Sequence, residues 1–233
     1  MIRNILINLL ILTFFWKGKI KDEDFIIHIA DPKKGKLEMY WADSEGKPFR
    51  SFRNVKKELE KKGQKLIFAM NGGMYEEDRS PVGLYIQSGR ELNRINLKKG
   101  KGNFYTMPNG VFSVLKDGTA DISVSDKIPS LSKIRFATQS GPMLLVGGEI
   151  PKKYSKNSAL RKIRNGVGLL SDGKVIFAVN KKELNIHEFA LFFKEKGCKE
   201  ALYLDGTISS VYLPEKGEDF LGGDFGVIIT ERE

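Results

Sequence analysis

Cysteine and histidine are almost missing from this chain of 233 residues, which has one cysteine, Cys198, and two histidines, His28 and His187. A single thiol excludes an intrachain disulfide and any zinc site built on cysteine pairs. The histidines lie far apart in sequence and neither has a second histidine at ligand spacing. No metal site is legible, and whether a divalent metal assists is left open. Cys198 has no Cys or His motif beside it and reads as a buried structural thiol. A Ser/His/Asp triad through His187 stays open, with nothing local to support it. Linkers rich in Pro, Gly or Ser are missing too, so residues 21–233 read as one domain, long enough to bury a substantial core.

Acidic residues are in deficit: 29 Asp and Glu stand against 39 Lys and Arg, for a formal net charge of +10. That balance invites nucleic acid. The basic residues, however, are mostly lysines scattered in pairs such as Lys33-Lys34, Lys61-Lys62 and Lys152-Lys153. They lack the aromatic interleaving of an RNA-binding sheet, and no recognition helix accompanies them. No nucleic-acid partner is expected. A solvated lysine surface fits better, and it is compatible with anionic glycans, phosphates or a membrane face.

Long apolar runs are scarce, and the exception is residues 1–16, MIRNILINLLILTFFW, with Arg3 ahead of an apolar core. The pattern resembles a signal peptide and is short for a bilayer span. Export to the periplasm or beyond follows from it. Lys17 to Ile20 offer no small-x-small cleavage site, so residues 1–20 are expected as a signal-like segment or an uncleaved membrane anchor. A buried first strand or helix is the plain alternative.

What is abundant is glycine, 24 residues, at the ends of short apolar runs. Phe25 to Ala30 and Leu37 to Trp41 read as strands joined by Asp31-Pro32 and Gly35 in a hairpin. Ser51 to Lys62 reads as an amphipathic helix, with Phe52, Val55 and Leu59 on one face and Gly63 as its cap. Strands follow at Leu66 to Met70, Gly83 to Ser88, the run ending at Val114, and the region from Ile122. Phe136 to Gln139 turns through Ser140-Gly141-Pro142 back into Met143 to Val146, and Val167 to Ser171 joins Lys174 to Asn180 at Asp172-Gly173. Ile186 to Lys196, with Phe189, Ala190, Phe192 and Phe193, reads as a helix packed on a sheet. Strand-turn-strand units without regular helix alternation predict an α+β fold, mostly antiparallel hairpins covered by a few helices.

Three of these strands end in the same way. Ala201 to Leu204 runs into Asp205-Gly206 and then Thr207, Ser209 and Ser210. Leu66 to Met70 runs into Asn71-Gly72-Gly73-Met74-Tyr75, and Phe136 to Gln139 into Ser140-Gly141. A buried strand delivers its terminal side chain to a fixed place, and glycine lets a ligand approach bare N–H groups. An isolated Asp-Gly is more often an ordinary hairpin turn. Arg164, beside Asn165-Gly166, has the planar fork suited to a phosphate. Taken alone, it would read as a surface arginine.

Taken together, the ordered motifs Asn71-Gly72-Gly73-Met74-Tyr75, Ser80-Pro81-Val82-Gly83, Gly102-Asn103-Phe104, Pro108-Asn109-Gly110-Val111, Thr138-Gln139-Ser140-Gly141-Pro142, Arg164-Asn165-Gly166-Val167-Gly168 and Leu204 to Ser210 resemble the phosphodiester glycosidase domain family. The likeness is to its bacterial, exopolysaccharide-related branch and runs from about Phe25 to the C-terminus. The family's mammalian member has a glycine-rich form of the Asp-Gly motif where this chain has Thr207-Ile208, a departure that bears on substrate identity. The resemblance implies hydrolysis at the sugar carbon of a sugar-1-phosphodiester or phosphorylated glycan. Asp205 would be the carboxylate at the anomeric carbon, and Glu188, at the family's helix position, the second one or else a helix-face charge. Arg164, Ser140 and the N–H groups near Gly72 and Gly141 would hold the phosphate. Asn71, Tyr75, Gln139, Asn165, Gly206 and Ser209 complete the implied substrate site. The rival reading is a domain that binds anionic polysaccharide without turnover.

Overall fold

The computed structural model describes residues 20–205 and 208–233. Among them, fourteen strands form three antiparallel sheets, and two α-helices cover them, an α+β architecture. The first sheet has the order β1 (Phe25–Ala30), β11 (Val175–Asn180), β10 (Asn165–Leu169), β12 (Glu200–Asp205), β9 (Met143–Leu145). The second runs β13 (Val211–Tyr212), β3 (Leu66–Asn71), β14 (Ile228–Arg232), β2 (Leu37–Tyr40). The third runs β5 (Arg90–Asn93), β4 (Tyr85–Gln87), β8 (Ile134–Ser140), β6 (Gly110–Leu115), β7 (Ala120–Val124).

Strand periodicity sorts the core. In β11, Val175, Phe177 and Val179 face a central cluster, while Ile176 and Ala178 face the opposite side. In β12, Leu202 and Leu204 point to that centre, and Ala201 and Tyr203 away from it. This two-residue alternation is what a strand buried on both faces requires. The central cluster draws Met39, Phe68 and Ile229 from the second sheet and Phe112, Val114 and Phe136 from the third. The three sheets thus close on one interior, where burying each large apolar side chain contributes about 1.5–3 kcal/mol.

The far face of the first sheet is covered by α2 (Ile186–Glu195), whose Phe189, Phe192 and Phe193 are buried there. Asn185 caps this helix: its side chain accepts from the Glu188 N–H while Glu188 reaches back to the Asn185 N–H. Helix α1 (Phe52–Lys61) starts at Ser51, whose hydroxyl accepts from the Asn54 N–H, and it buries Phe52, Val55 and Leu59 as the sequence spacing predicts.

Two expected hairpins do not form. β1 pairs with β11 and β2 with β14, so strands that are neighbours in sequence belong to different sheets. The turn chemistry is as read, with Pro32–Lys34 in a 3-10 turn and Gly35 in the left-handed region, but the turn hands the chain from one layer to another. Likewise β8 lies in the third sheet between β4 and β6, whereas β9 pairs with β12 in the first. The hairpin at Asp172-Gly173 forms, as β10 with β11. Strand β5 was not expected, because RELN carries no apolar run and its side chains are exposed or half-buried.

Candidate active site

The last residues of β12, β3 and β8 meet the first residue of β10, and they come from all three sheets. Asn165 lies opposite Asp205 in the ladder between β10 and β12. Its Oδ1 accepts the Asp205 N–H at 2.7 Å, and its Nδ2 donates to the Asn71 carbonyl at 2.7 Å and to Asn71 Oδ1 at 3.0 Å. Asn71 Nδ2 in turn donates to Asp205 Oδ2 at 3.1 Å and to the Ile208 carbonyl, while its Oδ1 also accepts the Ser210 N–H at 2.8 Å. The Ile208 N–H reaches Asp205 Oδ1 at 3.4 Å, the Ser209 hydroxyl donates to the Asp205 carbonyl, and the Ser140 hydroxyl donates to the Leu204 carbonyl at 2.9 Å. Two buried amides and the Ile208 N–H therefore hold Asp205, which is 8% exposed.

Arg164 lies next along the chain from Asn165 and is 3% exposed. Its Nη1 donates to the Tyr203 hydroxyl at 3.1 Å, its Nε to the Leu184 carbonyl, its Nη2 to the Leu160 carbonyl, and its N–H to Asn180 Oδ1. Among the described residues no carboxylate stands within 4.0 Å of this guanidinium. A cation taken out of water without a counter-charge is costly, and here it is met by the neutral acceptors just named. The Tyr203 phenol feels both the Arg164 and the Asp205 charge. Burial pushes its phenol above the usual value, the Arg164 charge lowers it, and Asp205 raises it again. The Tyr75 phenol is also raised, by burial first and then by Asp205, so both rings stay neutral beside the carboxylate. Tyr75 donates to the Asp224 carbonyl at 3.1 Å, and the Arg79 guanidinium lies over its ring.

The residues expected to touch a substrate divide into two groups. Tyr75 and Ser209 are half-buried at the cluster with Asp205, and Arg164, itself buried, reaches it through the Tyr203 hydroxyl. Asn71, Asn165, Gln139 and Ser140 are at most 2% exposed and are internal braces instead. Gln139 is fully engaged: Oε1 accepts from the Leu84 and Asn96 N–H groups, and Nε2 donates to the Asn96 carbonyl and the Ser125 hydroxyl. No capacity is left there for a sugar hydroxyl. Nor is the Gly72 N–H available to a phosphate, since it donates to the Val227 carbonyl at 2.9 Å. Gly72 is glycine because a Cβ there would run into the Ile229 side chain, and Gly141 because one would meet Asn109 Cβ at 2.7 Å. Gly206 lies outside the described residues. Glu188 is the cap partner of α2, and Arg161 pairs with its carboxylate at 2.8 Å. Two contributors escaped the sequence reading, Tyr203 and Asn180. Asn180, a polar residue closing the apolar strand VIFAVN, repeats the strand-end signal that marks Asn71 and Asp205.

Among the described residues, no group of three or more His, Cys, Asp or Glu side chains could hold a metal ion. A cleft of about 610 Å³ along β1, lined by Phe25, Ile27, Ile29 and Lys216 among others, includes none of the residues of the cluster.

Comparison with known proteins places the chain in a family. Residues 64–221 match the phosphodiester glycosidase family, and the chain belongs to it. An uncharacterized Escherichia coli K12 protein, YigE, is 37% identical over 187 residues, or 80% of this chain and 73% of that protein. Among solved structures, the zebrafish N-acetylglucosamine-1-phosphodiester alpha-N-acetylglucosaminidase catalytic domain, auto-inhibited by its pro-peptide, is similar with a TM-score of 0.61 and 17% identity. That match covers 90% of this chain and 83% of the zebrafish chain. A Burkholderia pseudomallei protein described as a candidate exported protein is similar with a TM-score of 0.57 and 11% identity, over 89% of this chain and 73% of that one. At such identities the structural likeness speaks for the fold alone.

Proposed function

We propose that this protein hydrolyses the bond between the anomeric carbon and the phosphate of a sugar-1-phosphodiester. The observation that carries the reading is a buried guanidinium that has no carboxylate partner among the described residues and donates to a tyrosine whose phenol also feels the Asp205 charge. Arg164 holds the phosphodiester anion. Asp205 serves the anomeric carbon, as nucleophile, as base for water, or as the counter-charge of an oxocarbenium-like centre. Water oxygen becomes the new substituent on that carbon, and the bond from carbon to phosphate oxygen breaks. The phosphomonoester departs as a stable anion, and the water proton passes to Asp205 or solvent. Such a leaving group needs little acid assistance, so one carboxylate suffices and Glu188 remains a helix cap.

The test is an assay of purified protein against a panel of sugar-1-phosphodiesters, following free sugar and phosphomonoester together. Stoichiometric release of both, lost in Asp205→Asn, is expected. Tight binding without release would make the domain a polysaccharide binder.

Export belongs to the same proposal and is supported by residues 1–16, which lie outside the described residues. Among the described residues no helix is long and apolar enough to cross a membrane. Residues 1–30 fused to a reporter active only outside the cytoplasm should give signal; activity of a cytoplasm-only reporter instead would refute export.

A further inference from the structure

Two stretches of the chain contain no acidic residue, residues 92–109 and residues 150–171. The fold sets them side by side, since Lys153 donates to the Met107 carbonyl. Both also arrive at the active-site tyrosine: Arg164 Nη1 lies 3.1 Å and Asn103 Nδ2 3.5 Å from the Tyr203 hydroxyl. One basic face therefore starts at the phosphate side of the cluster. It continues outward over Lys98, Lys99 and Lys101 on one stretch and Lys152, Lys153 and Lys156 on the other, all exposed.

These lysines differ from several elsewhere on the molecule. Lys61 and Lys62 pair with Glu58, Lys182 with Asp24, Lys194 with Glu149 and Lys196 with Asp22. None of the six on this face has a carboxylate within 4.0 Å among the described residues. At its border Glu188 is matched by Arg161. The exposed Glu183 and Asp126 lie beside this face, next to the Arg161 and Asn109 contacts, so that six lysines and Arg164 face few carboxylates. A field of one sign beside a catalytic cleft attracts and orients an oppositely charged partner.

We infer that the part of the substrate beyond the scissile phosphate is a polyanionic chain, an oligomer or polymer of phosphodiesters, held along this face. The inference rests on the hydrolase reading of the site and narrows its substrate class. Arg164 takes the phosphate at the bond to be cut, and the two lysine groups take phosphates further along the leaving chain. Cleavage then removes a sugar from the end of that chain and leaves a terminal phosphomonoester on it. A small uncharged alcohol on the phosphate would leave the face unused.

Two substrates with the same terminal sugar-1-phosphodiester separate the alternatives, one a methyl diester and the other an oligo(glycerol phosphate). At about 20 mM salt the oligomer should have a kcat/KM roughly tenfold or more above the methyl diester, and the ratio should approach one near 300 mM salt. The variant Lys98→Gln/Lys99→Gln/Lys101→Gln should collapse the ratio at low salt, its thermal unfolding serving as the check on folding. A ratio near one in the unaltered protein at low salt overturns the inference. If neither compound is cleaved, fluorescence anisotropy with labelled oligo(glycerol phosphate) decides separately. Binding that falls with salt and with the triple substitution keeps the polyanion face and sinks the hydrolase reading, whereas no binding sinks both. Equal affinity for duplex DNA of matched charge overturns the inference in favour of nucleic acid.

Discussion

Among the described residues Arg164 is a cation held by neutral groups: two carbonyls and one phenol accept its side-chain N–H groups. Lysine would keep the charge but cannot present three directed donors in one plane. In Arg164→Lys the affinity for a phosphodiester or its phosphomonoester product should therefore fall roughly tenfold or more, or ~1.4 kcal/mol. Titration calorimetry with the product measures it, and unchanged affinity would reduce Arg164 to a structural strut. Cys198 shows the opposite behaviour, a group made inert by its surroundings. Burial pushes its thiol up to about 12, whereas an unfolded thiol ionises near ~8.5. Below ~8.5 both states hold the proton; above it the unfolded chain releases it first, so this group's contribution to stability declines as pH rises from about 8.5 to about 12. At pH 8 the folded protein should resist iodoacetamide and the unfolded protein should react. Rapid alkylation of the folded form, read by mass spectrometry, would show Cys198 to be accessible.

At the scale of elements, the start of α2 joins stability to the site's surroundings. Asn185 closes the capping box and its Nδ2 also donates to the Lys156 carbonyl at 3.2 Å. Asn185→Ala should destabilise by about 1–2 kcal/mol in denaturant unfolding. Glu188→Gln keeps a side chain that can complete the box, so turnover should stay within a few-fold of the parent. A loss of several hundred-fold would restore Glu188 as a second catalytic carboxylate. Elements such as this helix were legible in the sequence because their signals are local: the Ser51 cap, the spacing of Phe52, Val55 and Leu59, and the phenylalanines of α2. Pairing was not. Asp31-Pro32 and Ser140-Gly141-Pro142 are true turns, yet each carries the chain between sheets, and a turn's composition does not say which strand will pack beside the next. The site was legible to the same depth. Its residues stand at strand ends and carry motif signals, but whether Gln139 or Asn71 faces a ligand or braces a neighbour depends on contacts made by residues far away in sequence.

For the whole molecule, the decisive feature is that three sheets are tied together at the place where the chemistry is assigned. Asn165 bridges the first sheet to the second through Asn71, and Ser140 ties the third sheet to β12. Removing the Asn165 amide in Asn165→Ala leaves the Asp205 N–H without this acceptor, and Asn71 without its donor, in a buried setting. Each unpaired buried group costs about 1–3 kcal/mol, so stability and turnover should fall together. Asp205→Asn has a different signature. It preserves size and an oxygen able to accept from Asn71, and it removes a charge from an interior where charge is unfavourable. Its melting temperature should equal or exceed that of the parent, while kcat falls about 10³-fold or more with little change in KM, because the lost interaction acts in the transition state. Loss of activity with unchanged or raised stability separates a functional carboxylate from a structural one. Thermal melts and steady-state kinetics on the two variants decide the matter: if Asp205→Asn melts well below the parent, or turns over at a near-normal rate, Asp205 is a turn residue and the chemistry lies elsewhere.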